Sequence, residues 1–234
     1  MPLLVQAILF TLIPVAAATA AGIVAAAIAL PARLQSGVQH FAAGVVFGAA
    51  AIELLPQLLQ RSPAATLLGF ALGIGALFAL RWATERVEKA RAGVAGFVAA
   101  TAVDFLVDGL VIGAGFTAGG HTGVLLTVAV AIEYLFVGMS VAAALGDHVS
   151  PARVIGVPLG LALLTPVGAI VGAVALQGVP LFALATVLAF GAVAFMYLVT
   201  EELLVRAHEQ GETALGSPLF FVGFLILLVI EEIV

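Results

Sequence analysis

The feature that most limits how this chain can fold is its division into eight long apolar runs, at about 4–30, 38–60, 64–82, 94–116, 122–146, 152–176, 180–205 and 217–234. Each is close to, or longer than, the ~20 residues that a helix needs to cross a bilayer core. The runs are continuous rather than alternating, which argues against a closed sheet. Within lipid the backbone must then satisfy its hydrogen bonds inside helices. Composition agrees: 64% of the 234 residues are hydrophobic and 9% are charged, against roughly 25% charged in a soluble domain. The expectation is an all-α polytopic membrane protein, a single transmembrane domain over residues 1–234. There is no cysteine, which removes disulfides and thiolate metal ligands. Lys and Arg together number 8, nearly all in short connections, so no nucleic-acid partner is expected. No basic segment precedes the first run, and no cleavable signal is expected.

The basic residues orient the bundle. Arg33, Arg81, Arg86, Lys89, Arg91, Arg153 and Arg206 fall in or beside odd-numbered connections, and only Arg61 in an even one. This bias places the odd connections in the cytoplasm and both termini outside. The longest polar connection, RWATERVEKARAG from Arg81, is compatible with a cytoplasmic linker helix or a mobile loop, and the favoured reading is a short ordered cytoplasmic loop, 83–93. The expected location is the inner (plasma) membrane of a prokaryote. Glycines recur four apart at Gly44/Gly48, Gly69/Gly73, Gly109/Gly113 and Gly168/Gly172, a spacing that lets helices approach closely. Pro14, Pro56, Pro158 and Pro166 are placed to kink their spans. A faint repeat relates Glu53-Leu54-Leu55 to Glu202-Leu203-Leu204 and IPVAAA from Ile13 to TPVGAI from Thr165. Spans 1–3 and 6–8 would then form an inverted pair around spans 4 and 5.

Against this apolar background the acids carry the information. Asp104 and Asp108 lie in VDFLVDGLVIGAGF, the middle of the fourth span, and Glu133 lies in the middle of the fifth. Glu53 falls in the outer half of span 2, and Glu201 and Glu202 near the inner end of span 7. A carboxylate at mid-bilayer costs on the order of 2.5–3.5 kcal/mol. With no basic residue at that depth, the group must be protonated, face water or bind a cation. The i,i+4 spacing of Asp104 and Asp108 puts both on one helix face. A cation path results, with an outer acid, a central cluster and an inner pair. For Glu201 and Glu202 an interfacial charge at a helix end is the competing reading, and for Glu53 a protonated side chain bonded between helices. His40, His121, His148 and His208 read as loop or helix-end residues, with His121 either solvated or an external contact.

DFLVDGLVIGAGF resembles the fourth span of the ZIP (Zrt/Irt-like) metal transporters, whose motif reads His-Asn-x-x-Asp/Glu-Gly. Asp104 stands at the His, Phe105 at the Asn and Asp108 at the acid, before Gly109. EYLFVGMSVA is similar to the second metal motif of that family, with Glu133, Tyr134 and Val137 at its three ligand positions. AAGVVFGAAAIELLPQLL resembles the Gly-rich segment ending in His-Leu-x-Pro-Glu, with Glu53 at the His. FMYLVTEELLVRAHE resembles the seventh span, with Glu201 and Glu202 at an inner His-Glu pair, and Thr165-Pro166 stands where span 6 carries Glu-Pro. The resemblance implies a 3+2+3 inverted-repeat bundle and a metal site between spans 4 and 5. It also implies transport of divalent metal toward the cytoplasm.

Some members hold two metals. Here Phe105, Tyr134, Val137 and Thr165 have lost the ligands, and one oxygen-rich site of Asp104, Asp108 and Glu133 is expected, completed by water. Carboxylate-only shells suit Mn²⁺ or Mg²⁺; Zn²⁺ also binds carboxylates, and Fe²⁺ belongs to the same set of substrates. The expected partners are divalent metal and the lipid bilayer, and a homodimer is compatible with the reading. No resident cofactor is expected. The alternative is a ZIP-like homologue that binds or moves another cation, or does not transport metal. An intramembrane hydrolase using paired carboxylates lacks a recognisable nucleophile or protease motif, and the chain is not expected to be an enzyme.

Overall fold

A computed structural model of the chain describes residues 2–28, 31–89, 93–145, 149–209 and 216–233. Among these it is all-helical, with no strand. Eight helices are long and apolar enough to cross a membrane, and the protein is an integral membrane protein. They are α1 (Leu3–Ala27), α2 (Ala32–Leu59), α3 (Pro63–Lys89), α4 (Gly93–Ala118), α5 (Gly120–Leu145), α6 (Pro151–Ala175), α7 (Leu181–Glu209) and α8 (Gly216–Ile233). The eight runs read from the sequence each correspond to one helix. The exception is the polar connection after the third run. The helix of α3 continues to Lys89, where a short loop over 83–93 was expected. Ala, Glu, Arg and Lys dominate that stretch, and all favour helix once a preceding helix supplies the nucleus.

Short connections make successive helices antiparallel. The odd-numbered connections therefore gather at one end, called the basic end below, and the even ones at the other. Contacts across the bundle agree. The Ser36 hydroxyl, early in α2, donates to the carbonyl of Ala207, late in α7, at 2.7 Å. At the opposite end His121 meets the carbonyl of Glu231 at 3.4 Å.

Helices α2, α5 and α7 are the most enclosed, and α3 and α8 the most exposed. The largest helix pairs are α4 with α6, α1 with α5, α2 with α8, α1 with α6, α2 with α7, and α3 with α7. Exchanging helices 1 with 6, 2 with 7, 3 with 8 and 4 with 5 maps this set of pairs onto itself. The paired glycines sit in these contacts. A Cβ on Gly109 or Gly113 would overlap the carbonyl oxygen of Thr165 or Ala169, and one on Gly168 or Gly172 that of Leu106 or Leu110. Gly44 abuts the carbonyl of Phe220 in α8, and Gly69 that of Thr186 in α7. The spacing thus marks where backbone meets backbone.

Three helices are irregular, each for a local reason. In α6 the ladder breaks at Leu163, where Pro166 offers no N–H to the preceding turn. In α2 a π-helical segment runs over Ala49–Leu54, directly before Pro56. In α7 a second one runs over Leu198–Leu203. There the Thr200 hydroxyl donates to the carbonyls of Met196 at 3.0 Å and Tyr197 at 3.3 Å, drawing them from the regular ladder. Wide turns of this kind concentrate at functional sites. Each of these two holds an acid at its fifth residue, Glu53 and Glu202.

Candidate metal centre

The middle of the bundle brings together the three acids expected to form the core of the site. Asp104 and Asp108 project from one face of α4, and Glu133 meets them from α5. One ligand oxygen from each lies within 4.8 Å of the others. Oxygens around one divalent ion at about 2.0–2.6 Å lie at most ~4–5 Å apart, so the three reach a common ion without main-chain movement. Asp104 is half-buried; Asp108 is 2% and Glu133 0% exposed. Asp108 Oδ2 and both Glu133 carboxylate oxygens are buried without a hydrogen-bond partner. Among the described residues no Lys, Arg or His forms an ion pair with any of the three. Two carboxylates ~5 Å apart repel by about 3 kcal/mol at an effective dielectric constant of ~20. Such a cluster needs protons or a cation.

Beside the carboxylates, with the Tyr134 hydroxyl close to Asp108, lies a packing unit. The rings of Phe105 and Tyr134 stack with centroids 3.9 Å apart and planes 21° from parallel. The Tyr134 hydroxyl is hydrogen-bonded to Thr165 Oγ1 at 2.6 Å. All three residues are fully buried. Phe105 and Thr165 thus each meet Tyr134, three positions read from the sequence as lost ligands, and the unit ties α4, α5 and α6 together. Tyr134→Phe should lower stability by about 1 kcal/mol, read as a lower melting temperature in detergent, while metal binding by the carboxylates persists.

Toward the end away from the basic connections, Glu53 is 7% exposed and has a defined shell. Gln57 Nε2 donates to Glu53 Oε1 at 2.6 Å and lies 2.7 Å from Thr122 Oγ1. His121 Nδ1 lies 3.6 Å from Glu53 Oε2. The side chain of His121 is 40% exposed, so it joins solvent to a buried acid.

Toward the basic end, Asp104 and Glu202 line one cavity of about 110 Å³ between α3, α4 and α7. Its other walls are mostly apolar, among them Leu77, Val107, Phe190 and Leu198, with Tyr197 the remaining polar residue. Arg206 Nη2 approaches Glu202 Oε2 at 3.4 Å, and its guanidinium lies 4.8 Å from the ring centroid of Phe97 in α4. Glu201, the other half of the expected inner pair, is exposed and does not line this cavity.

Sequence reading alone passed over Gln57, Thr122, Phe97 and Arg206 as parts of these clusters. Gln57 carried a usable signal, four residues after Glu53 on the same face. Arg206 carried the same one, four after Glu202. Thr122 and Phe97 carried none, because each meets its partner only through tertiary packing. The expected helix-end position of His148 lies outside the described residues. Compared with known proteins, the chain matches no protein-family model, and no curated protein is found to be similar to it.

Proposed function

We propose that this protein is a divalent metal cation transporter of the ZIP type that moves metal toward the cytoplasm. The observation that carries the reading is the convergence of Asp104, Asp108 and Glu133 within 4.8 Å, with Asp108 Oδ2 and both Glu133 oxygens buried and unpartnered. A cluster of this kind has the chemistry of a divalent-ion shell. Oxygen-only ligation favours Mn²⁺ or Mg²⁺, with Zn²⁺ and Fe²⁺ as further substrates.

Glu53 with His121 and Gln57 receives the ion from outside, and Glu202 takes it from Asp104 through the shared cavity. Arg206, paired with Glu202 and seated on Phe97, occupies the exit as a tethered cation that the metal displaces. The orientation rests on the seven basic residues at the odd connections. A 3+2+3 inverted repeat is supported by two features. The helix pairs exchange under the 1–6, 2–7, 3–8, 4–5 mapping, and the two π-helical segments carry Glu53 and Glu202 at matching positions.

The second reading, a homologue that holds a cation without moving it, is favoured by the Phe105–Tyr134–Thr165 unit, which makes one flank of the site rigid. Uptake into sealed vesicles separates the two. Purified protein in liposomes loaded with a metal-sensitive dye should take up Mn²⁺ or Zn²⁺ faster than empty liposomes. Glu202→Gln should slow this uptake by about tenfold while leaving equilibrium binding at the central site within twofold. Binding without uptake would establish the second reading, and neither binding nor uptake would overturn both.

A further inference from the structure

At the basic end, away from the carboxylates, α2 and α7 bring two imidazoles together. The rings of His40 and His208 have centroids 5.2 Å apart and planes inclined by 62°. His40 is 5% exposed, whereas His208 is exposed. The two helices are pinned there by the bond from the Ser36 hydroxyl to the Ala207 carbonyl. Each ring uses the same nitrogen in the same way. His40 Nδ1 lies 2.9 Å from the carbonyl of Ser36, and His208 Nδ1 lies 2.5 Å from that of Leu204, in both cases four residues back along the helix. A carbonyl only accepts, so Nδ1 carries the proton in both rings. Each neutral ring then keeps a free lone pair on Nε2. A backbone carbonyl holding one nitrogen while the other is left basic is the arrangement of metal-bound histidine.

The ring separation fits as well. A metal about 2.05 Å from Nε2 lies about 3.2 Å from the ring centroid, and two such ligands at a tetrahedral angle have centroids about 5.2 Å apart. Gly216, at the start of α8, covers the face of His40. A Cβ there would stand 2.9–3.2 Å from Cε1, Nε2 and Nδ1 of the ring, so only a glycine leaves room for an ion beside Nε2.

We propose that His40 and His208 form a second metal site, specific for borderline divalent ions such as Co²⁺, Ni²⁺ or Zn²⁺, that clamps α2 to α7. Its chemistry differs from that of the central cluster, which offers oxygen alone. Neither histidine lines the cavity that holds Asp104 and Glu202. The clamp joins the two helices that carry the π-helical segments, so an ion bound there restrains the helices bearing Glu53 and Glu202. Water completes the shell on the exposed side of His208.

The site does not depend on the transport reading, and the test keeps the two apart. Co²⁺ is titrated into the purified full-length Asp108→Asn protein, in which the central cluster is disabled, with calorimetry for stoichiometry and visible absorption for ligand type. The expected result is one bound Co²⁺ per chain with nitrogen-ligand bands and a raised melting temperature. Adding His208→Gln or His40→Gln should weaken this binding by about tenfold or more, and His208→Cys should restore it with a thiolate charge-transfer band. Because His208 is exposed, its Gln variant decides the matter even if His40→Gln fails to fold. Absence of Co²⁺ binding in Asp108→Asn, or binding that His208→Gln leaves unchanged, overturns the clamp and leaves the central site untouched.

Discussion

Asp108→Asn should abolish metal uptake and yet make the metal-free protein more stable. The two effects have one cause. Asp108 Oδ2 is buried with no hydrogen-bond partner, and so is the whole carboxylate of Glu133. An unsatisfied buried polar group costs about 1–3 kcal/mol, more when charged, and the neighbouring acids add their mutual repulsion. Asn keeps the shape and removes the charge, which lightens both costs. The same change removes a ligand from the set of three carboxylates that converge there among the described residues. We expect vesicle uptake of Mn²⁺ or Zn²⁺ to fall to background and the metal-free melting temperature to rise by about 2–4 °C for each kcal/mol gained. Mg²⁺ or Mn²⁺, which prefer oxygen ligands, should raise the melting temperature of the unaltered protein and leave that of the variant unchanged. Glu133→Gln should behave alike. Uptake within twofold of the unaltered protein would remove Asp108 from the ion path. A fall in stability on neutralisation would mean that the carboxylate has a structural partner.

Gly109→Leu should be the most damaging single substitution in the bundle. A Cβ on Gly109 would overlap the Thr165 carbonyl, and one on Gly168 would overlap the Leu106 carbonyl. The α4–α6 contact is thus backbone on backbone from both sides. There is no flexible side chain to yield, so the helices must separate. Overpacking costs about 1–3 kcal/mol in ordinary cores and more where nothing can relax. Moving α4 also carries Asp108, the adjacent residue, away from Glu133. Loss of folded protein on size exclusion, or a melting temperature lowered by many degrees with no metal uptake, is expected. Gly75 supplies the control: nothing lies within 4 Å of the place its Cβ would take, and Gly75→Leu should stay within about 0.5 kcal/mol. Equal stability of the two variants would mean that α4 and α6 do not pack as described.

These two predictions differ in how far the sequence anticipates them. The acids stood out because a bilayer penalises charge, so Asp104, Asp108 and Glu133 were conspicuous before any fold was known. The i,i+4 spacing placed two of them together; that Glu133 meets them was an expectation until α4 and α5 were seen to pack. The glycine spacing suggested close helices without naming partners. The pairing of Gly109 with Thr165 follows from the break at Leu163, which directs the second half of α6 along α4.

What the sequence determined alone is what the bilayer enforces locally. Eight apolar runs became eight helices because each backbone must satisfy itself within its own run, and that requirement needs no partner. Helix ends were read within about four residues for the same reason, except at the start of α2, which begins at Ala32 and not near 38, and where polar helix formers carried α3 on to Lys89. What only the tertiary structure decided depends on which faces meet. It separated Glu202, which shares a cavity with Asp104, from Glu201, which is exposed. It set His121 beside Glu53 and His40 beside His208, and stacked Phe105 on Tyr134. A lipid-facing and a protein-facing side of an all-apolar helix look alike in sequence, because lipid and protein interior are equally apolar. The choice between them is made by packing and by small-residue contacts, and these exist only once the helices have assembled.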